Sequence, residues 1–203
     1  MTAAEDALGF HCSQCGKCCR DLRVALTHRD LARLRRSFGR DARGFVDWLA
    51  PDAVDMTSEP SSFVELSVGR RLMVLAHADG ACRFLGSDNR CSAYTSRPED
   101  CRTFPFAFES ETAPNVRRLT LLPLAGCESV AGPAHELETL RANDEQRWRA
   151  LSEYQSFVLR WNRATRHRRR LGRGVGNAEA FLDFLERQLS PTEEDHDDVE
   201  RAG

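Results

Sequence analysis

The chain has 203 residues, 41% of them hydrophobic and 30% charged, and carries a net charge of −2. That balance suits a globular protein of one domain, or one domain with a helical appendage, and argues against a disordered chain. Near-neutrality leaves no global field to draw it toward nucleic acid or an anionic membrane. No apolar run approaches the roughly 18 residues that a membrane span requires. The opening MTAAEDALGF has neither the basic nor the apolar region of a secretory signal, so the cytoplasm is the expected location.

Residues 22–26 alternate apolar with polar side chains and predict a short strand. Thr27 then begins a helix as N-cap, with Asp30 as an acidic capping-box partner. Leu31, Leu34 and Phe38 follow at helical spacing, and Gly39 stops the run. A second short helix is predicted over residues 42–49, before Pro51, and a loop over 51–61. Strands are predicted at 63–66 and 72–75, with Gly69-Arg70 as the hairpin turn. Residues 81–108, dense in Cys, Pro, Gly and Asp, predict mostly irregular structure, and 117–124 the last strand. From Leu137 to Trp161 apolar residues recur every three or four positions, as one long amphipathic helix or two broken near Asn143-Asp144. Its aromatics Trp148, Tyr154, Phe157 and Trp161 are expected in the core. After a loop, Asn177 caps a final helix carrying Phe181, Leu182, Leu185 and Leu189. Residues 191–203, with six acids and one arginine, predict a disordered tail.

The informative residue is cysteine. Cys12, Cys15, Cys18, Cys19, Cys82, Cys91, Cys101 and Cys127 all lie in the first 127 residues, and none in the last 76. An even count in a secreted chain would suggest disulfides. In a reducing cytosol, metal chemistry is the better reading. Thiolates are soft ligands that suit zinc, Cu(I) or iron–sulfur iron. The C-x2-C step lets two sulfurs reach one metal across a tight turn, where Gly16 can adopt positive φ. C-x2-C-x2-C resembles iron–sulfur ligation, with three ligands from one loop and a fourth from afar; structural zinc more often pairs two separated knuckles. Cys18 and Cys19 are adjacent, which disfavours both binding one ion. The later four sit in loop settings, and the two groups are expected to converge.

The residues His11-Cys-Ser-Gln-Cys-Gly-Lys-Cys-Cys-Arg20, Cys82-Arg-Phe-Leu85, Arg90-Cys-Ser-Ala-Tyr94, Arg97-Pro98 and Cys101-Arg-Thr-Phe-Pro-Phe106 resemble the CxxCxxCC cysteine-cluster family, also called YkgJ-type, over residues 10 to 128. All eight cysteine positions match in order. The resemblance implies zinc, iron or iron–sulfur binding in the cytoplasm. Its flagellin lysine N-methylase members add the possibility of methyl transfer.

Around the thiols, Arg97 and Arg102 either offset thiolate charge or pair with Glu99 or Asp100. Tyr94 is expected to pack in the core or donate to a sulfur. Pro98 and Pro105 would rigidify the loops that hold Cys101. His11 and His77 are minor nitrogen candidates. The basic stretch 160–173 reads as a solvated helix end that could pair with the acidic tail, and nucleic acid is disfavoured as a partner.

These readings converge on an α+β fold: a small loop-rich metal-binding domain with a short β-hairpin and strands over 1–130, a helical region over 131–190 and the acidic tail. The expected function is chelation of an iron–sulfur cluster or zinc by the eight cysteines. A methyl-transferring enzyme, and a structural zinc module for a protein or nucleic-acid partner, remain as alternatives.

Overall fold

The capping chemistry at Thr27 starts the first long helix as expected. Thr27 accepts the Asp30 N–H, and the Asp30 carboxylate accepts the Thr27 N–H at 2.8 Å, closing the capping box. Helix α2 (His28–Phe38) ends at Gly39, whose φ of 57° supplies the left-handed cap. It follows the one-turn helix α1 (Lys17–Asp21). In the computed structural model the described residues are 9–11, 15–39, 42–54, 60–110, 117–122, 130–134 and 137–189.

Residues 22–26 are extended, and Leu26 N–H donates to the Met73 carbonyl at 3.0 Å. The segment 42–49 departs from its predicted helix. A 3-10 turn over Ala42–Phe45 leads into strand β2 (Val46–Leu49), which pairs antiparallel with β4 (Gly69–Leu75). The apolar Val46, Trp48 and Leu49 suit a sheet position, and the edge of β4 offers backbone partners that four residues of helix could not match. Strand β3 (Val64–Leu66) pairs with the other edge of β4, giving the order β2-β4-β3. The hairpin turns at Ser67-Val68, because Leu66 faces Gly69 across the ladder; the predicted Gly69-Arg70 turn lies inside β4.

Within the segment expected to be irregular, β5 (His77–Ala78) and β6 (Ala81–Cys82) form a small hairpin. Its turn residues Asp79 and Gly80 both have positive φ, 50° and 80°, the signature of a type I′ turn. Helix α3 (Glu99–Thr103) follows, then β7 (Phe106–Ser110) paired with β8 (Arg117–Leu121). Strand β1 (Gly9–His11) pairs with β9 (Val130–Ala134). Helix α4 (Leu137–Arg170) runs unbroken past Asn143-Asp144, where Asp144 is buried and Arg147 donates to it at 3.2 Å. Asn177 caps α5 (Ala178–Leu189) by accepting the Ala180 N–H at 2.9 Å. The outcome is an α+β fold of small antiparallel sheets with C-terminal helices. None of the described helices is long and apolar enough to cross a membrane. The acidic residues 191–203 lie outside the described residues.

One hydrophobic cluster joins the two halves of the sequence: Leu31, Leu34 and Met73 pack with Tyr154, Val158 and Phe181. Trp161 closes the end of α4 against α5, its indole N–H donating to the Glu65 carbonyl at 2.9 Å. Trp148 departs from its expected core position. It stands 38% exposed, with the Arg147 guanidinium 4.7 Å from its ring centre.

His28 is buried at the start of α2, its ring edge-on to Phe157 and its Nε2 3.4 Å from Glu153. Burial, outweighing the pull of Glu153, lowers its pKa to about 4. The unfolded chain, with His near 6.5, therefore binds the proton more readily. The contribution is complete above pH 6.5 and is lost as pH falls toward 4, by up to about 3 kcal/mol. Denaturant titrations at pH 7 and pH 4.5 check this: the unaltered chain loses more stability between the two than His28→Gln does. Equal losses would contradict it.

Candidate metal centre

The cluster opens on a turn that a glycine makes. Cys15 is exposed, and Gly16 caps α1 with φ 72°, the conformation anticipated for it. Cys18 and Cys19 then lie on α1. Although their adjacency disfavours both binding one ion, their Sγ atoms are 4.0 Å apart. That is close to the separation of roughly 3.8 Å between two sulfurs of one tetrahedral ion with bonds near 2.3 Å.

The later cysteines come from three local frames. Cys82 ends β6; Cys91 is bridged to Leu85 across the 86–90 turn; Cys101 sits on α3. The N–H of Phe84 bonds the Cys82 sulfur and that of Ala93 bonds the Cys91 sulfur, each offsetting part of the rise that burial imposes on its thiol. A sulfur that accepts an N–H from two residues on is set up to carry negative charge.

Two elements fasten these frames together. Arg20, on α1, donates to the Asn89 side chain at 2.5 Å and to the Cys15 carbonyl at 3.5 Å, linking the first cysteine loop to the turn before Cys91. Arg33, on α2, pairs with buried Glu99 at the start of α3 and donates to the Arg97 carbonyl at 2.8 Å. The Asp30 carboxylate that caps α2 also accepts the Glu99 N–H at 3.0 Å. The helix that bears Cys101 is thus held by the N-terminus of α2.

All six described cysteines line one cavity of about 470 Å³, and none is in a disulfide. Its remaining walls are mainly apolar, with Leu22, Val24, Phe84 and Phe106 among them, and with Arg97, Asp100 and Arg147 at its polar edge. Among the described residues, no group of three or more His, Cys, Asp or Glu side chains is placed to hold a metal ion. Cys12 and Cys127 lie outside the described residues.

The electrostatics follow from crowding. Cys18 and Cys19 share one hydrogen bond, which first of all pushes the Cys18 thiol up and lowers Cys19. Burial pushes up Cys82, Cys91 and, furthest, Cys101, and neighbouring thiols and Asp100 add to the Cys101 shift. Asp100 is raised to about 6, by burial first and against the pull of Arg147. Its carboxyl is reachable from the cavity yet walled by protein.

The two motif arginines part company. The Arg97 guanidinium lines the cavity, 3.7 Å above the Tyr94 ring, and opposes the burial-driven rise of Cys91. Arg102 instead ties the Arg97 and Thr95 carbonyls, at 3.1 and 2.8 Å. Tyr94 also lines the cavity and is 43% exposed rather than packed in the core. Pro98 precedes α3 and Pro105 follows it. His77 reaches the cavity wall, and His11 lies on β1. The sequence motifs attach no role to Arg20, Asn89, Arg33 or Arg147; their side chains reach across 47 to 69 positions of sequence, as in Arg147–Asp100 and Arg20–Asn89.

A thiol-rich cavity in an α+β frame defines a candidate metal-binding protein. The chain belongs to the CxxCxxCC family, described as a putative zinc- or iron-chelating domain, which matches residues 11–120. No curated protein and no solved structure matches it.

Gly16→Ala places a Cβ 2.7 Å from Arg20 Nη1 and 3.2 Å from Leu85 Cδ1, at a φ that L-residues resist. It should cost about 1–2 kcal/mol and displace the Arg20 bridge. Metal per chain and melting temperature should both fall. A Gly16→Ala chain that keeps its metal and its melting temperature would overturn this.

Proposed function

We propose that this protein is a metal-binding protein whose thiol-lined cavity holds an iron–sulfur cluster, with the eight cysteines as the donor set. The observation that carries this reading is that six thiols from both cysteine groups line a single cavity of about 470 Å³. A single ion needs only the space between four sulfurs, on the order of one water's share of liquid, about 30 Å³. A multi-iron cluster, also held by four thiolates, needs more room. The donor chemistry fits a soft, thiophilic centre: mostly half-buried sulfurs, two of them accepting backbone N–H groups, with Arg97 nearby to offset charge.

The 4.0 Å spacing of Cys18 and Cys19 favours a second reading, a tetrahedral zinc site. In either reading residues 1–130 form the metal-binding part and 131–190 buttress it, Arg147 reaching the cavity from α4. A reducing compartment, the cytoplasm, suits thiols that must stay reduced.

Anaerobic purification followed by metal and sulfide analysis tests the choice. Iron with acid-labile sulfide and broad visible absorbance is expected. Stoichiometric zinc in a colourless protein would replace the cluster with the second reading, and neither metal would overturn both. Stripping the metal should lower the melting temperature, since metal binding contributes to folding free energy.

A further inference from the structure

Seven arginines fall between residues 160 and 173, and no acid lies between Glu153 and Glu179. Two of the seven have partners: Arg160 donates to Gln188 at 2.8 Å and Arg166 pairs with Glu65 at 3.2 Å. Arg163, Arg168, Arg169, Arg170 and Arg173 are exposed, and none has an ion pair among the described residues. Cations are favoured in the last turn of a helix, which accounts for 168–170 but not for Arg163, two turns earlier, or Arg173, beyond the end. So many like charges at one helix end repel one another unless a counter-charge is supplied.

The counter-charge is encoded close by. Residues 190–203 hold six acids, from Glu193 to Glu200, and one arginine. Gln188, at the end of α5, is anchored at Arg160. From there the far arginines are about 15 Å along α4, at 1.5 Å per residue. The six acids lie five to twelve positions past Gln188, a reach of roughly 16 to 40 Å in extended chain. Every one of them can come alongside the arginines. Nucleic acid fits this surface less well. Trp161, the aromatic within the stretch, has its N–H committed to Glu65 and its ring packed on Phe181, so no ring is free for base stacking.

We infer that the acidic segment 190–203 of this same chain lies along the arginine-bearing end of α4 as an intramolecular electrostatic clasp. Tethering gives it a millimolar-scale effective concentration, so the clasp outcompetes a dilute external polyanion. Opposite blocks that cancel within the last 44 residues then leave the whole chain near neutral, at −2.

The test is a comparison of amide spectra of the full chain, unaltered and with all six acids neutralised (Glu193→Gln, Glu194→Gln, Asp195→Asn, Asp197→Asn, Asp198→Asn, Glu200→Gln). The clasp predicts shifts confined to residues 160–173 at about 0.01 M salt that collapse near 1 M, where the Debye length falls to about 3 Å. The reciprocal variant Arg168→Gln/Arg169→Gln/Arg170→Gln should move the amides of 193–200. A single-stranded oligonucleotide should bind the acid-neutralised chain at least about tenfold more tightly than the unaltered one. Shifts absent from the opposite segment in either variant would overturn the clasp. Equal oligonucleotide affinity for both chains would also overturn it, and would leave the arginines as a free nucleic-acid surface.

Discussion

Sulfurs that face one another across a protein-walled space resist carrying negative charge together. Each thiolate is penalised by lost hydration and again by its neighbours. Burial pushes up Cys82, Cys91 and Cys101, the last also by its neighbouring thiols, and one hydrogen bond between Cys18 and Cys19 raises the first and lowers the second. A bound cation reverses this balance, because it favours the charged form of every donor at once. The frames that bring these sulfurs together must therefore hold without help from sulfur-sulfur attraction.

Polar links beneath the cavity provide that hold. The Asp30 carboxylate both caps α2 and accepts the first N–H of α3, while Arg33 pairs with the buried Glu99 beside it. Removing one partner of such a pair strands a buried charge, at a cost of several kcal/mol. Gln146 on α4 also donates to Glu99, at 3.1 Å. Through Glu99 and the shared apolar core, the C-terminal helices are coupled to the position of Cys101 although they bear no cysteine.

What could be read from the sequence was the local chemistry. The Thr27/Asp30 capping box, the Gly39 stop, the Asn177 cap and the positive φ at Gly16 depend on a few neighbouring residues. The eight cysteines and their family motif needed no fold to be seen. Residues 42–49 were misread because their strand state is set by β4, more than twenty residues on. The hairpin turns at Ser67-Val68, just before the glycine that marks it in the sequence, and only the Leu66–Gly69 register decides. Helical spacing points Trp148 to the core, and Tyr94 reads as core or as a donor to a sulfur, whereas arginine stacking holds each at a partly exposed position. Arg20 and Arg33 act across the fold on Asn89 and Glu99, which no spacing rule reaches.

X-ray absorption at the metal edge of the protein purified without oxygen addresses the central claim most directly, because it reads the donor atoms themselves. A metal held by the cysteines that line the cavity predicts a first shell of sulfur at about 2.3 Å, with no substantial nitrogen or oxygen contribution. A first shell dominated by light atoms at roughly 2.0–2.2 Å would place the metal on histidine, carboxylate or water instead, and would contradict the account of these thiols as its ligands.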